Sequence, residues 1–581
     1  MGTLPHYITE ITPGSMPRRI VALCVRGEDS YGRGWSRDGA HIIMDWCARG
    51  MAVDRQGRSK HFRAHGSSAR SLWEFIASST RRKDTTWIVA DNLPRALRLI
   101  QMGHYAQRGI VSIRSWSISG RCVVMAIDGG AGRSIWVDRV NYGMAPIDAA
   151  KAPEDICDTI LVDIIGLAGY LVDSGSPQWS ATASGIAWRV WRQSYLAGRP
   201  HVHGNNRASS LERLSYFGGR MDCWRLGRVN GSVYKLDVNA LYPACASYVR
   251  LPCQLHELGA GDIHQIRAAV RAGEGVIASV ALRAQSDYPW RAEGGKVHHQ
   301  RGSYWTVLAA PELCRAIMRD EVAQVSTVAT YRLGEPLKDI LLSLYRTRVG
   351  ARNDGLTALA AATKAMANGL IGRFAAHAYE WRARAGVKPA SHYGDWHALQ
   401  PGGGQPRHYR YLGTHVEEEL RMGEGEHSMV ALASYVTSFA RVYMQKLIDI
   451  AGQDNVIYQA NDSLHVTEAG FAALQERGII NPDQIGSLKL EGVYDGCTYH
   501  SPAKYSWGAA LNVPSHATGG GHSRAGANNS GRRPGELGGQ CGVPLGGGLA
   551  ETGRGSAGRV KYADRVSPDG RISPREYHEP L

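Results

Sequence analysis

Apolar and polar residues alternate in short runs over the first third of the chain, and "RRIVALCV" (18–25), "RCVVMAI" (121–127) and "SIWVDRV" (134–140) read as strands. The period then changes. In "EDICDTILVDIIGLAGYLVDSG" (154–175), Ile160, Ile164, Leu167 and Leu171 recur three and four apart, which puts them on one face of a helix. Strands followed by long helices predict an α/β domain over residues 1–205. From about 210 to 510 the elements lengthen. Strands are expected near 232–237, 276–282 and 455–459, and helices near 336–349, 356–369 and 430–450. Residues 516–559 hold so few apolar anchors among Gly, Ser and Arg that burial cannot offset the entropy of ordering, and flexibility is expected there.

Composition narrows the class. The chain has 581 residues, 43% of them hydrophobic, which suits roughly three or four domains with substantial cores. The formal charge is +15, and such an excess favours a polyanionic partner through counterion release, nucleic acid first among them. Ten cysteines are scattered singly with no C-x-x-C pair, which suggests neither a zinc module nor a disulfide framework and fits a reducing compartment. No apolar run nears the length of a membrane span and no export-type start is visible. A cytoplasmic protein without membrane association is expected. No Walker-type phosphate loop, H-E-x-x-H or G-x-S-x-G occurs.

Candidate chemistry sits at two strand ends. "YQANDSLHVT" (458–467) is an apolar strand that stops at Asp462, with no second acid beside it. In "SVYKLDVNALYPACA" (232–246) the strand ends at Asp237. If the two strands are neighbours in one sheet, the acids meet and can hold Mg²⁺-type ions, hard cations that prefer carboxylate and phosphate oxygens. Between them, "KAMANGLIGRF" (364–374) places Lys364 and Asn368 four apart on one helix face, with Gly369 and Gly372 allowing close approach. The preceding "PLKDILLSLYRTRVGAR" (336–352) adds Arg346, Arg348 and Arg352, guanidinium groups that suit phosphate oxygens.

In order, these stretches resemble family B DNA polymerases. Asp237 to Pro243 resembles the family's first catalytic motif, an aspartate followed by S/N-L-Y-P; Lys364 to Gly372 resembles the second, and Tyr458 to Ser463 the third, Y-x-D-T-D-S. "SYFGGR" (215–220) resembles the Y-x-G-G motif, "ALASYVTSFARVYM" (431–444) the helix before the third motif, and "GSLKLEG" (486–492) with "SPAKYSW" (501–507) the primer-holding region. The resemblance covers residues 210–510. It implies an RNase H-like exonuclease-type domain (1–205), then a right-hand polymerase. The linker motif and first part of the palm occupy 206–335, the fingers 336–375, the second part of the palm 376–485 and the start of the thumb 486–515. A Gly-rich segment (516–559) and a tail (560–581) follow. Overall length is similar to that of the small replicases of phages, viruses and linear mobile elements, some of them protein-primed. Stretches 251–335 and 375–428 leave room for processivity segments.

The activity implied is DNA-directed DNA synthesis from dNTPs on a primer–template, by a monomer using two Mg²⁺ ions, with Mn²⁺ as a substitute and a terminal protein as one conceivable primer. Asp237, Val238 and Asp462 are implied as metal ligands, Asp237 and Asp462 as catalytic acids, and Tyr242, Arg346, Lys364 and Asn368 as nucleotide-binding. Tyr216, Gly218, Gly219, Ser463, Lys489, Lys504 and Tyr505 are implied to contact DNA. Several positions depart from the pattern. Ala460 replaces the first acid of the third motif and Asn461 its threonine, Ile371 replaces the aromatic of the second motif, and Lys504 directly precedes Tyr505 where one residue usually intervenes. In the amino-terminal zone, Cys24 and Arg26 stand where metal-holding acids are expected, and neither is a Mg²⁺ ligand of that kind. Asn92 survives in "DNLPRAL" but Ala96 takes the acid's place, and Asp158 alone matches the third nuclease motif. Glu28 and Asp29 read as loop acids. Loss of proofreading is expected, the domain persisting as a platform for single-stranded DNA. A competing reading keeps the fold without chemistry, as a primer–template-binding pseudo-polymerase.

Overall fold

The computed structural model describes residues 4–27, 44–54, 56–80, 84–119, 122–129, 132–198, 200–292, 295–384, 393–398, 407–412, 415–501 and 504–511, and the backbone of 575–578. Glu28, Asp29 and the 516–559 segment lie outside these residues.

The amino-terminal unit is built on the Arg19–Gly27 strand. It pairs parallel with Thr86–Ala90, which pairs parallel with Gly132–Asp138, and antiparallel with Met44–Val53, which is followed by Ser59–Gly66. Both faces of this strand are covered, so its apolar run is continuous rather than alternating. Ile20, Ala22 and Cys24 enter the main core, while Val21 and Leu23 enter a second one. The Pro153–Asp173 helix lays Ile160, Ile164, Leu167 and Leu171 into the main core, the face expected from the sequence.

The central sheet runs in the order Met221–Cys223, Val456–Ala460, Ser463–Thr467, Gly227–Val238, Leu488–Ser501 and Lys504–Trp507, with Ala510–Leu511 on Leu488–Ser501. Its strands are antiparallel. The long Val430–Ala451 helix backs it and is buried along most of its length. Two stretches leave this sheet and make sheets of their own. Residues 251–334 form Leu251–Ala260, Gly275–Arg291, Val297–Ala309 and Val322–Gly334, joined on one edge by Arg575–His578. Residues 377–424 form His377–Arg384, Tyr393–Ala398, Arg407–Leu412 and His415–Glu424. The strand expected at 276–282 is longer than its apolar pattern, because the Val297–Ala309 partner extends the pairing to Arg291.

Contacts between these parts are specific. The Arg410 guanidinium of the 377–424 sheet lies 4.4 Å from the Trp116 ring and 4.0 Å from the Trp381 ring, and donates to the Trp116 carbonyl at 2.6 Å. Gly143 (φ +78°) and Gly369 let the amino-terminal unit lie against the Thr357–Arg373 helix. A Cβ on Gly143 would stand 2.4 Å from that of Ala365, and one on Gly369 2.8 Å from that of Ser184.

His408 is clamped in the 377–424 sheet, its Nε2 3.1 Å from Asp395 and its Nδ1 3.1 Å from Glu419. Burial opposes its charge, but the bonds to Asp395 and Glu419 outweigh that cost and push the imidazole up to about 9. The pKa is raised on folding, so the stabilisation is complete below the unfolded value near 6.5 and is lost as pH rises through about 9. Hydrogen exchange of the Arg407–Leu412 amides is expected to quicken across that window in the native chain, and His408→Gln is expected to flatten the dependence.

Candidate active site

Register brings the two acids together. Gly227–Val238 pairs with Ser463–Thr467 so that Asp237 stands opposite Ser463, and Val238 donates its N–H to the Asp462 carbonyl at 2.9 Å. Asn461 and Asp462 form the two-residue turn between Ala460 and Ser463. Asn461 takes φ +52°, a conformation that Asn tolerates better than most side chains. Burial raises the Asp237 carboxyl to about 6, Asp462 and Glu491 push the same way, and Lys489 opposes. Asp462 is likewise raised by burial and by Glu491, with Lys364 and Lys489 lowering it. Two carboxylates that repel each other in a partly dry cleft are each better ionised with a cation between them.

Lysine ammonium groups supply part of that positive charge. Lys489 Nζ is 3.5 Å from Asp237 and 2.8 Å from Glu491, and Lys235 Nζ is 2.9 Å from Glu491. Glu491 was not among the acids singled out from sequence. Lys489 and Glu491 are two apart on one strand, so they share a face, and Lys489 lies opposite Asp237. Among the described residues no group of three His, Cys, Asp or Glu side chains is arranged to hold a metal ion. Asp237 and Asp462 nevertheless fit a hard divalent cation: oxygen donors, mutually repelling, partly exposed and influenced by Lys489 and Lys364.

The Thr357–Arg373 helix presents Lys364 and Asn368 on its exposed face, and Lys364 draws Asp462 down. Ile371, where an aromatic was expected, points into the main core. Arg346 is exposed, whereas Arg348 is half-buried and is the guanidinium that responds to Asp237. Burial and Arg352 lower it, while Tyr345 and Asp237 hold it up.

The 216–220 loop closes the other side. Gly219 packs so tightly that a Cβ would stand 2.2 Å from Asn461 Oδ1 and 2.6 Å from the Tyr242 hydroxyl, so three separate motifs meet at one point. The Tyr242 phenol is half-buried and raised, by burial first and by Asp462 second. The Gly218 carbonyl accepts from Arg441 at 2.9 Å and the Tyr216 carbonyl from Arg291 at 2.9 Å. Gly219→Ala is expected to displace Asn461 and Tyr242 and to cost about 1–3 kcal/mol in the folded protein, read as a lower melting temperature.

Asn239 pins the loop after Asp237. Its Nδ2 donates to the carbonyls of Asn481, Pro482 and Gln484, and its backbone bonds to Ser487 and Gly486. Ser463 Oγ donates to the Leu236 carbonyl at 3.2 Å. Lys504 is exposed, while Tyr505 packs among Tyr458, His465 and Trp507 with ring centroids 5.1–5.2 Å apart.

The five nuclease-type positions do not converge into an acid cluster. Cys24 is buried opposite Cys47, its thiol pushed up to about 11 by burial. Arg26 donates to the carbonyls of Ala149 and Lys151. Asn92 caps the Leu93–Leu99 helix, and Ala96 faces the second core. Asp158 is paired with Arg49 at 3.1 Å.

No protein-family model matches the sequence, and no curated protein matches it. Solved structures do match. Phi29 DNA polymerase in an orthorhombic crystal form aligns with a TM-score of 0.54 over 84% of this chain and 87% of that one, at 13% identity. The fold is that of phi29 DNA polymerase. The same polymerase with primer-template DNA and incoming nucleotides aligns at 0.51, at 14% identity, over 84% of this chain and 86% of that one. Its complex with single-stranded DNA aligns at 0.53, at 14% identity, over 84% and 87%. No described helix is long and apolar enough to cross a membrane.

Proposed function

We propose that the protein is a DNA-directed DNA polymerase that adds dNTPs to a primer 3′-hydroxyl. The observation that carries this reading is the meeting of Asp237, near the end of its strand, with Asp462, in the turn of the neighbouring hairpin, where Lys364 acts on Asp462 by its charge, on a fold shared with phi29 DNA polymerase. Asp237, Val238 and Asp462 would hold two divalent ions, Mg²⁺ with Mn²⁺ as a substitute. Ions held there would supply activation of the primer hydroxyl and neutralisation of charge on the leaving pyrophosphate. The remaining work falls to side chains. Lys364, Arg346 and Arg348 steer the triphosphate by charge, Asn368 seats the nucleotide, and Tyr242, held against Gly219 and Asn461, lies under the sugar and disfavours a 2′-hydroxyl. Tyr216, Gly218, Gly219 and Ser463 follow the template, and Lys489, Lys504 and Tyr505 the primer end.

The amino-terminal unit carries strands in the order of an RNase H-like nuclease, an antiparallel trio continued by two parallel strands. Buried Cys24, the carbonyl-bound Arg26, core-facing Ala96 and the salt-bridged Asp158 support loss of 3′-5′ proofreading, since two-metal cleavage needs several carboxylates together. By resemblance the enzyme is a monomeric, cytoplasmic replicase of a phage, virus or mobile element, for which a terminal-protein primer is one option. The experiment is incorporation of the templated dNTP on a primed template with Mg²⁺, beside a control for primer shortening without nucleotides. Extension without shortening supports the reading. Ala460 and the Lys489–Asp237 ion pair favour the pseudo-polymerase alternative, and tight primer–template binding with no extension would establish it.

A further inference from the structure

Behind the 216–220 loop, a buried set of charges joins the 251–334 sheet to the central sheet. The Arg220 guanidinium is out of contact with solvent and donates from Nε to Asp222 at 2.6 Å, from one terminal nitrogen to Asp287 at 2.9 Å and from the other to Gln445 at 3.1 Å. Its three partners lie on three elements: Asp222 on Met221–Cys223, Gln445 on the Val430–Ala451 helix and Asp287 on Gly275–Arg291. The second Asp287 oxygen accepts from Arg301 at 3.1 Å. Asp287 reaches Arg220 because its strand is irregular. Ala284 stands opposite Gly302 and Tyr288 opposite Gln300, so residues 285–287 face the single Arg301. Buried Glu321 holds this bulge, its carboxylate accepting the N–H groups of Gln285 at 2.9 Å and Ser286 at 2.8 Å. A bulge of this kind re-aims a side chain away from the regular alternation.

The backbone of Arg220 belongs to the candidate site. Its carbonyl accepts the Asn461 N–H at 2.8 Å, and the next residue, Met221, pairs with Ala460. Asn461 and Asp462 are the whole of a two-residue turn, so few bonds fix them. On the far side the Asp462 carbonyl accepts from Val238 at 2.9 Å, and on the near side the Arg220 carbonyl holds Asn461. Ala460 has no polar side chain to add a third restraint. The position of the acid therefore depends on where the Arg220 backbone sits, and that depends on what grips the guanidinium. An error of about 1 Å in the placement of a reacting group can cost about a hundredfold in rate.

We infer that Arg220 and Asp287 are positioning residues for Asp462: through the carboxylate presented by its bulge, the 251–334 sheet fixes the backbone that holds the Asn461–Asp462 turn. This inference rests on the polymerase reading. The test uses the full chain, with Mn²⁺ as the probe of direct binding by electron paramagnetic resonance and single-dNTP incorporation measured beside it. Asp287→Asn keeps the shape of the side chain and is expected to weaken Mn²⁺ binding about tenfold and to lower kcat about tenfold, leaving the dNTP KM and primer–template affinity within about twofold. Arg220→Met should act in the same direction and lower kcat about a hundredfold. Arg220→Lys, which keeps the charge, should recover about tenfold of that loss. His256→Gln breaks an exposed ion pair elsewhere on the same sheet, 2.6 Å from Glu274, and should change neither quantity. Where Arg220→Met fails to fold, Asp287→Asn and Arg220→Lys carry the test. A lower melting temperature with unchanged Mn²⁺ affinity and kcat would make the network a structural brace and overturn the inference, as would a matching loss in His256→Gln. If the unaltered chain binds Mn²⁺ without extending a primer, the polymerase reading fails while the binding arm still decides the positioning. If it does neither, the inference falls with that reading.

Discussion

Asp462→Asn and Asp237→Asn are each expected to lower templated dNTP incorporation by about a thousandfold while changing primer–template affinity little. Asparagine keeps the size of the side chain and one oxygen but removes the negative charge, the property that the paired strand ends supply. The same change should have an opposite effect on stability. Burial and Asp462 raise Asp237 to about 6, so ionising it in the folded, metal-free protein costs free energy. An acid raised on folding loses stability as pH climbs from its unfolded value near 3.8 through about 6. Near neutral pH, Asp237→Asn removes that cost and should stabilise the metal-free chain by on the order of 2 kcal/mol. Primer extension and metal-free thermal unfolding, measured on one preparation, check both halves. A variant that loses activity and melts earlier would indicate simple misfolding and would remove support for Asp237 as a site acid.

Arg441→Met should destabilise the whole central unit by about 3–5 kcal/mol. Arg441 and Glu312 are 4% and 6% exposed, and two of the guanidinium nitrogens meet the two Glu312 oxygens at 2.8 and 2.6 Å. The third nitrogen donates to the carbonyls of Phe217 at 2.7 Å and Gly218 at 2.9 Å. Methionine fills much of the volume but leaves Glu312 charged, buried and served by Ser438 alone at 3.0 Å among side-chain partners. The loop before Gly219 then loses its anchor from the Val430–Ala451 helix. Urea unfolding gives the first effect. Weaker primer–template binding at temperatures where the variant remains folded gives the second. The double variant Arg441→Met with Glu312→Leu should recover much of the stability, because the stranded charge is gone, but not the grip on the loop.

The interplay of sequence and structure is clearest at particular residues. The helix face carrying Ile160, Ile164, Leu167 and Leu171 and the exposed pair Lys364 and Asn368 were visible as local periods, and the structure keeps them; the strand expected to stop at Asp462 stops at Ala460, leaving Asp462 in the turn. Local pattern is silent where partners are remote. Arg346 and Arg348 are indistinguishable in a basic stretch, yet only packing sets which one responds to Asp237. The pairing of Lys489 with Asp237 and Glu491 is set by strand register and could not be read from the residues around it. Ile371, which replaces the aromatic of the second motif, packs in the main core.

From its own order of residues, then, the chain determined its α/β elements, the acids at and just beyond two strand ends and the cationic helix face, because each depends on neighbours within a turn or a strand. Tertiary structure alone decided that Asp237 lies beside Asp462 and near Glu491, that Gly219 packs against Asn461 and Tyr242, and that Arg192 and Arg373 lie over Trp188. Those contacts join segments far apart along the chain. Their geometry is set by strand register and by which helix packs on which sheet, properties that no single window of residues contains.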